Sequence, residues 1–242
     1  KRNSRIRKSH EPVFQLQFYN KLGKTSNWNN TFSYQFGRDG RSRLDWFKAS
    51  DPNPTYYRKL PSYWVDRFLG STSEGGVNIT DLEQMEIDNV ETTFRQNSQI
   101  NWDELYNANR NSKDGAAYTM VEDVNKDKTF NWVSHFDTRL DDNWKLNLNF
   151  TYQNVVSDNF RRVKDLLGAD YANNLNAFGF NQPYDLDNPE TKVYEGDRTQ
   201  FSYDLLRQTY QFNASTEVDL PRWNVVASVF ASYSESQRDG HF

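Results

Sequence analysis

The sequence predicts an all-β fold, a segment of an antiparallel transmembrane β-barrel with short periplasmic turns and long extracellular loops. Three observations predict it. The stretch NWKLNLNFTY (Asn143 to Tyr152) alternates without a fault, setting Trp144, Leu146, Leu148, Phe150 and Tyr152 against Lys145, Asn147, Asn149 and Thr151. A strand sends successive side chains to opposite faces, so this run has one apolar and one polar face. Mean hydropathy is only -0.97 although aromatics reach 16%, a mixture that suits alternating strands better than an aliphatic soluble core. Tight turns also alternate with long connections, the asymmetry of outer-membrane barrels. The apolar face needs a dry neighbour, which is either lipid or a second sheet of a sandwich.

Taken in order, the alternation marks three hairpins, at about 12–37, 129–157 and 201–237. In the first, Phe14, Leu16 and Phe18 share a face, NKLGKTSN turns the chain, and Trp28, Phe32, Tyr34 and Phe36 continue that face. In the second, Phe130, Trp132 and Phe136 lead into LDDN, and the opening stretch climbs away from it. In the third, Tyr210, Phe212, Ala214, Thr216 and Val218 lead into DLPR, and Trp223, Val225, Ala227, Val229, Ala231 and Tyr233 return.

Trp28, Trp144 and Trp223 each open a returning strand just after a tight turn, and Phe36, Tyr152 and Tyr233 stand near the far ends. At ~3.3 Å per residue and ~40° tilt, each such pair spans roughly 20 to 25 Å, the height of a barrel's apolar band. Trp and Tyr favour lipid–water interfaces, where the ring is buried and its polar group stays wet. These six residues are therefore candidate membrane-interface aromatics. Aromatics also favour strands in general, which leaves the sandwich open.

The connections, at about 38–128 and 158–200, are read as extracellular loops. A helix is expected around Trp102 to Arg110 in the first, and FRRVKDLLGADYANNL suggests a short helix in the second. Eight strands is the smallest membrane barrel, and an open edge in lipid leaves backbone groups unsatisfied. The three hairpins are therefore expected to be a piece of a longer polypeptide, with no plug domain visible and no signal peptide at the start.

The first loop carries DWFKASDPNPTYYRKLPSYW (Asp45 to Trp64). Through Asp51, Pro52, Pro54, Tyr56, Tyr57, Arg58, Leu60, Pro61, Ser62 and Tyr63, it resembles barrel loops of the TonB-dependent, SusC-like outer-membrane transporters of Bacteroidota. The resemblance implies a parent barrel of about twenty-two strands in the outer membrane of a Gram-negative bacterium, importing a glycan, peptide or siderophore. Implied partners are TonB acting through the parent's plug, a SusD-like surface lipoprotein in some members, and outer-membrane lipid with lipopolysaccharide. A soluble or surface-attached glycan-binding protein and a passive porin or secretion-associated barrel remain alternatives.

Signals for catalysis are sparse. His10, His135 and His241 lie far apart without metal-ligand spacing, and no Gly-x-Ser-x-Gly elbow or phosphate-binding Gly-rich loop occurs, so neither an enzyme nor a cofactor or metal site is expected. Asp141/Asp142 and Glu122/Asp123 read as turn and loop acids, and DLDNPETKVYEGD as a solvated acidic loop lacking EF-hand spacing. Net charge is -4 with pI near 5.5, which makes no global case for nucleic acid. The basic start KRNSRIRKSH reads as a solvated arm, as a rim facing anionic lipopolysaccharide or substrate, or as a nucleic-acid contact. Absence of cysteine removes disulfides and thiolate chemistry. Trp46, Tyr56, Tyr57, Arg58, Tyr63 and Trp64 are the candidate ligand-binding residues, able to stack sugars, clamp a peptide or form a small loop core. His135, Asp137, Arg139, Asn147 and Asn149 are expected to face the lumen.

Overall fold

A computed structural model of the chain describes residues 3–70, 79–176, 179–189 and 192–241. Lys1 and Arg2 of the basic start, and Glu190 and Thr191 of the acidic loop, lie outside them. In chain order the strands are β1 (Arg7–His10), β2 (Val13–Leu22), β3 (Ser26–Trp46), β4 (Tyr118–Asp141), β5 (Trp144–Asp165), the two-residue β6 (Ala172–Asn173), β7 (Leu175–Asn176), β8 (Gln182–Pro183) and β9 (Lys192–Val193), then β10 (Arg198–Leu220) and β11 (Trp223–Gly240). The helices are α1 (Pro61–Gly70), α2 (Asp81–Gln96) and α3 (Trp102–Asn111), with a 3₁₀ turn at Tyr57–Lys59. No helix among the described residues is long and apolar enough to cross a membrane. The chain divides into two compact units, residues 1–44, 120–164 and 174–242 in the first and 45–119 and 165–173 in the second.

The first unit is mostly one antiparallel sheet in which β3, β4, β5, β10 and β11 follow one another and both β1 and β2 pair with β3. The sheet is open, not closed into a barrel, with β1/β2 at one edge and β11 at the other. β1 and β2 keep one register on β3, Arg7 opposite Arg41 and Val13 opposite Gln35, so they form one edge strand broken at Glu11-Pro12. Proline has no N–H for a ladder and is tolerated at an edge. Opposite the break stands Gly37, where a Cβ would overlap the carbonyl oxygen of His10 and come within 2.7 Å of the Cα of Glu11. Only glycine lets the two backbones approach so closely.

All three expected tight turns are present. Gly23, in the left-handed region at φ 79°, helps close the first, and two residues each separate β4 from β5 and β10 from β11. The strands run well past the bounds read from alternation. β3 continues to Trp46, β4 begins at Tyr118, β5 reaches Asp165 and β10 begins at Arg198. The short helix expected from FRRVKDLLGADYANNL is not formed. Phe160 to Asp165 remain in β5, because Arg161 and Arg162 find Asp123 and Glu122 on β4 at 2.5 and 2.7 Å. The chain then turns through Leu167 and Gly168, both with positive φ.

In the second unit, polar side chains set the helix ends. Thr80 caps α2 by accepting from Glu83 N while the Glu83 side chain accepts from Thr80 N, a reciprocal capping box. Asn101 caps α3 by accepting from Glu104 N. Asn109 on α3 is 2% exposed. Its Nδ2 donates to the carbonyls of Tyr118 at 2.7 Å and Leu166 at 2.8 Å, and its Oδ1 accepts from the amides of Ala117 and Tyr118 at 3.0 Å each. One side chain thus ties α3 to the start of β4 and to the turn after β5. Its partners Tyr118, Leu166 and Leu167, and Leu105 one turn before it on α3, are all buried.

The capping box has a pH signature. The Thr80 backbone N–H, followed by its side chain, holds the Glu83 carboxyl below its ordinary value. A depressed carboxyl stabilises the fold above its unfolded pKa, about 4.3, and loses that contribution as pH falls through the folded value. Amide protection over residues 81–96, taken relative to the intrinsic exchange rate at each pH, should therefore fall on acidification below about pH 4, and Glu83→Gln should remove that step. Thr80→Ala should open the same helix end at neutral pH, at a cost of about 1 kcal/mol.

Candidate functional site

The stretch from Ser50 to Phe68 builds a small ordered site in the second unit. Asp51 closes a local turn by accepting from Asn53 N at 2.8 Å, and Leu60 is extended before Pro61, which opens α1. The rings of Tyr56, Tyr57, Tyr63, Trp64 and Phe68 then contact one another in sequence, at centroid distances of 4.8, 5.1, 5.7 and 6.0 Å. Arg58 Nε donates to Tyr57 Oη at 2.9 Å. That hydrogen bond pulls the Tyr57 phenol below its ordinary value, while burial raises Tyr56. Trp64 Nε1 donates to the Arg58 carbonyl at 3.0 Å, and Lys59 Nζ to the Asp51 carbonyl at 2.6 Å.

Beside this stretch is a cavity of about 400 Å³ whose walls include Asp51, Arg58, Lys59 and Trp64, with Asn89, Thr93, Phe94 and Asn97 of α2, Glu104 of α3, and Tyr118. Aromatic faces, carboxamides and charges of both signs converge there, a lining able to hold a polar ligand with an apolar face. Of the six residues expected to bind ligand, Arg58 and Trp64 line the cavity. Tyr56, Tyr57 and Tyr63 form the ring stack instead, and Trp46 ends β3, half-buried. The α2 wall was missed in the sequence, although Thr80 to Glu83 is a capping-box signature and Ile87, Val90 and Phe94 follow at helical spacing.

The sheet offers two contrasting faces. On one, His135, Asp137, Arg139, Asn147 and Asn149 lie with other polar and charged groups, Lys21, Asn27 and Lys145 among them, as alternation requires. Asn27 Nδ2 donates to Asp137 at 2.8 Å, and His135 Nδ1 meets Asn149 Oδ1 at 2.5 Å. A second chain crosses four strands, from Arg207 to Gln153 at 3.3 Å, Gln153 to Asn131 at 2.9 Å and Asn131 to Ser33 at 3.2 Å.

The other face is aromatic and uncovered, with Phe14 64%, Tyr233 62% and Trp223 73% exposed. Phe14 pairs with Tyr34, Tyr152 with Tyr210, and Tyr210 with Tyr233, while Phe130 meets the ring of Tyr152 at 6.2 Å. Each long strand of the sheet thus adds one aromatic to a row. Nearer the turns, Trp28 Nε1 donates to Ser134 Oγ and Trp144 Nε1 to Thr216 Oγ1, at 2.9 and 2.6 Å.

The tryptophans follow a slanted line. Asn27 meets Asp137 across β3 and β4, and His135 meets Asn149 across β4 and β5, so Trp28 stands level with Phe136 and Leu148, and Trp144 lies four residues nearer the turns. Trp144 pairs with Val218 and Val218 with Val225, so Trp223 lies two residues nearer again. The shift is four residues and then two, six over the four strands crossed. At roughly 3.3 Å per residue and about 4.8 Å between strands, that inclines the line by about 45° to the strand perpendicular. At the far ends, Phe36 to Tyr152 shows a shift of four residues and Tyr152 to Tyr233 shows none.

Glu122, expected in a loop, lies in β4, and its side chain is 3% exposed. Arg38 Nη2 and Arg162 Nη2 reach its Oε2 at 2.5 and 2.7 Å, and Lys164 Nζ lies 3.8 Å from Oε1. A Cβ on Gly40 would come within 2.9 Å of this carboxylate. Asp123 is likewise in β4, paired with Arg161. No protein family, curated protein or solved structure matches the chain.

Proposed function

We propose that this chain is part of the barrel of an outer-membrane importer of the TonB-dependent kind, with catalysis no part of its role. The observation that carries the reading is the slanted tryptophan line on an exposed apolar face. Strands of membrane barrels tilt by roughly 35 to 45° from the axis, so residues at one membrane depth must shift along successive strands. The inclination of about 45° obtained from the spacing of strands and residues agrees with the upper end of that range. A sandwich would cover this face with a second sheet, and it has no need for tryptophans at one depth.

In this reading the aromatic face meets lipid and the amide face meets the aqueous lumen. Further strands of the same barrel pair with the β1/β2 and β11 edges, since lipid cannot satisfy open backbone groups. The cavity beside Arg58 and Trp64 contributes to capture of a nutrient outside the cell. The loop sequence around Asp51 to Tyr63 favours the TonB-dependent kind over a passive porin, with energy delivered by TonB through the parent's plug and a SusD-like lipoprotein as a further partner.

Heat-modifiability tests the reading. The protein, extracted from outer membranes and identified by peptides of this sequence, should migrate differently on a denaturing gel with and without boiling. An unshifted band from the soluble fraction would overturn it.

A further inference from the structure

We propose that the aromatic face carries, just beyond its aromatic row, a binding site for the phosphates of lipid headgroups in the outer leaflet. The proposal rests on the membrane reading above. Alternation places Lys8, His10, Arg38, Lys126 and Lys128 on the same face as Phe14, Phe36, Phe130 and Trp132. Lys8 pairs with Gly40 and His10 with Arg38, and Lys128 stands one same-face position beyond Phe130. The cations gather on three adjacent strands, Lys128 about 7 Å, His10, Arg38 and Lys126 about 13 Å and Lys8 about 20 Å beyond the aromatic row at ~3.3 Å per residue.

Charge on this part of the face is unbalanced. Glu122 is the acid that β1, β3 and the segment 122–128 of β4 direct to it, and it is occupied by Arg38 and Arg162. Asp158, on the neighbouring β5, is held by Arg198 at 2.9 Å. Lys126 rests its ammonium 5.0 Å from the Phe160 ring, a contact that leaves its charge uncompensated. Lys8, Lys126 and Lys128 are exposed, and none of them ion-pairs with an acid among the described residues. Acyl chains lying on the aromatic face would bring headgroup phosphates to this height, where lysines on flexible stems supply charge-assisted hydrogen bonds. The apolar contact and the phosphate contact then hold the same molecule, which distinguishes a lipid from a free anion.

The test uses full-length protein purified in a non-ionic detergent and titrated with lipid A carrying its phosphates, with dephosphorylated lipid A, and with inorganic phosphate, bound lipid being counted by native mass spectrometry. Phosphorylated lipid A should bind at least tenfold more tightly than the dephosphorylated form, and the combined Lys8→Gln, Lys126→Gln and Lys128→Gln variant should lose that preference. Inorganic phosphate at millimolar concentration should not displace the lipid. Equal binding of both lipids, an unchanged preference in the variant, or displacement by inorganic phosphate would each overturn the proposal. The same samples are run with and without boiling. A retained heat shift alongside non-selective binding rejects the phosphate site alone, whereas loss of the heat shift in the unsubstituted protein rejects the membrane reading and the site with it.

Discussion

If the aromatic face meets lipid as proposed, Leu148→Arg should cost about 2 to 4 kcal/mol of folding free energy, the expense of a guanidinium at mid-membrane. Leu148 lies on the aromatic face of β5, paired with Ala214 of β10. Its neighbour Asn149 points the other way, to His135 and Asn213, so Asn149→Leu should cost less, on the order of the two hydrogen bonds it removes. Both are measurable as midpoint shifts when the heat-resistant form is titrated with denaturant. In a packed soluble core the arginine would prevent folding outright, since a lone buried charge costs several kcal/mol. A larger loss for Asn149→Leu than for Leu148→Arg would show that the two faces are assigned the wrong way round.

Asn109→Leu should unfasten the second unit. The substitution removes the partner that two carbonyls and two amides have in Asn109, of which the Leu166 carbonyl keeps Ala169 N at 3.1 Å, and each buried group left unpaired costs about 1 to 3 kcal/mol. A total of about 3 to 5 kcal/mol is expected, since some of these groups will recruit water. Asn109→Asp should be nearly as harmful, because a carboxylate would face the carbonyls of Tyr118 and Leu166. Faster proteolysis and amide exchange within 102–119, with the heat shift of the sheet retained, would report the effect. A variant with native exchange in α3 would show that the asparagine is dispensable.

The hairpins were legible because each face keeps one environment over many residues, so alternation survives in the sequence. Beyond the aromatic row that condition ends. RDGRSRLDW shows no alternating pattern, yet it stays in β3 because its charges find partners at long range, Asp39 with Arg7 and Arg38 with Glu122. A local window cannot see an ion pair between residues so far apart. For the same reason Phe160 to Asp165 resembles the start of a helix when seen in sequence alone. Asn109 looked like one more polar residue on a helix whose position was foreseen, and its role emerges only where Tyr118 and Leu166 converge on it. The loop aromatics were legible as a group, but the division between ring stack and cavity wall depends on α2, whose capping signal was passed over.

The cross-strand chain from Arg207 through Gln153 and Asn131 to Ser33 has a consequence for anything that moves along that wall. Gln153 and Asn131 each spend one donor and one acceptor within the chain, so a hydrated molecule sliding past would meet side chains already held in place. On the proposed reading such a surface stays wet while gripping less, the quality a passage needs if solutes are to leave as readily as they enter.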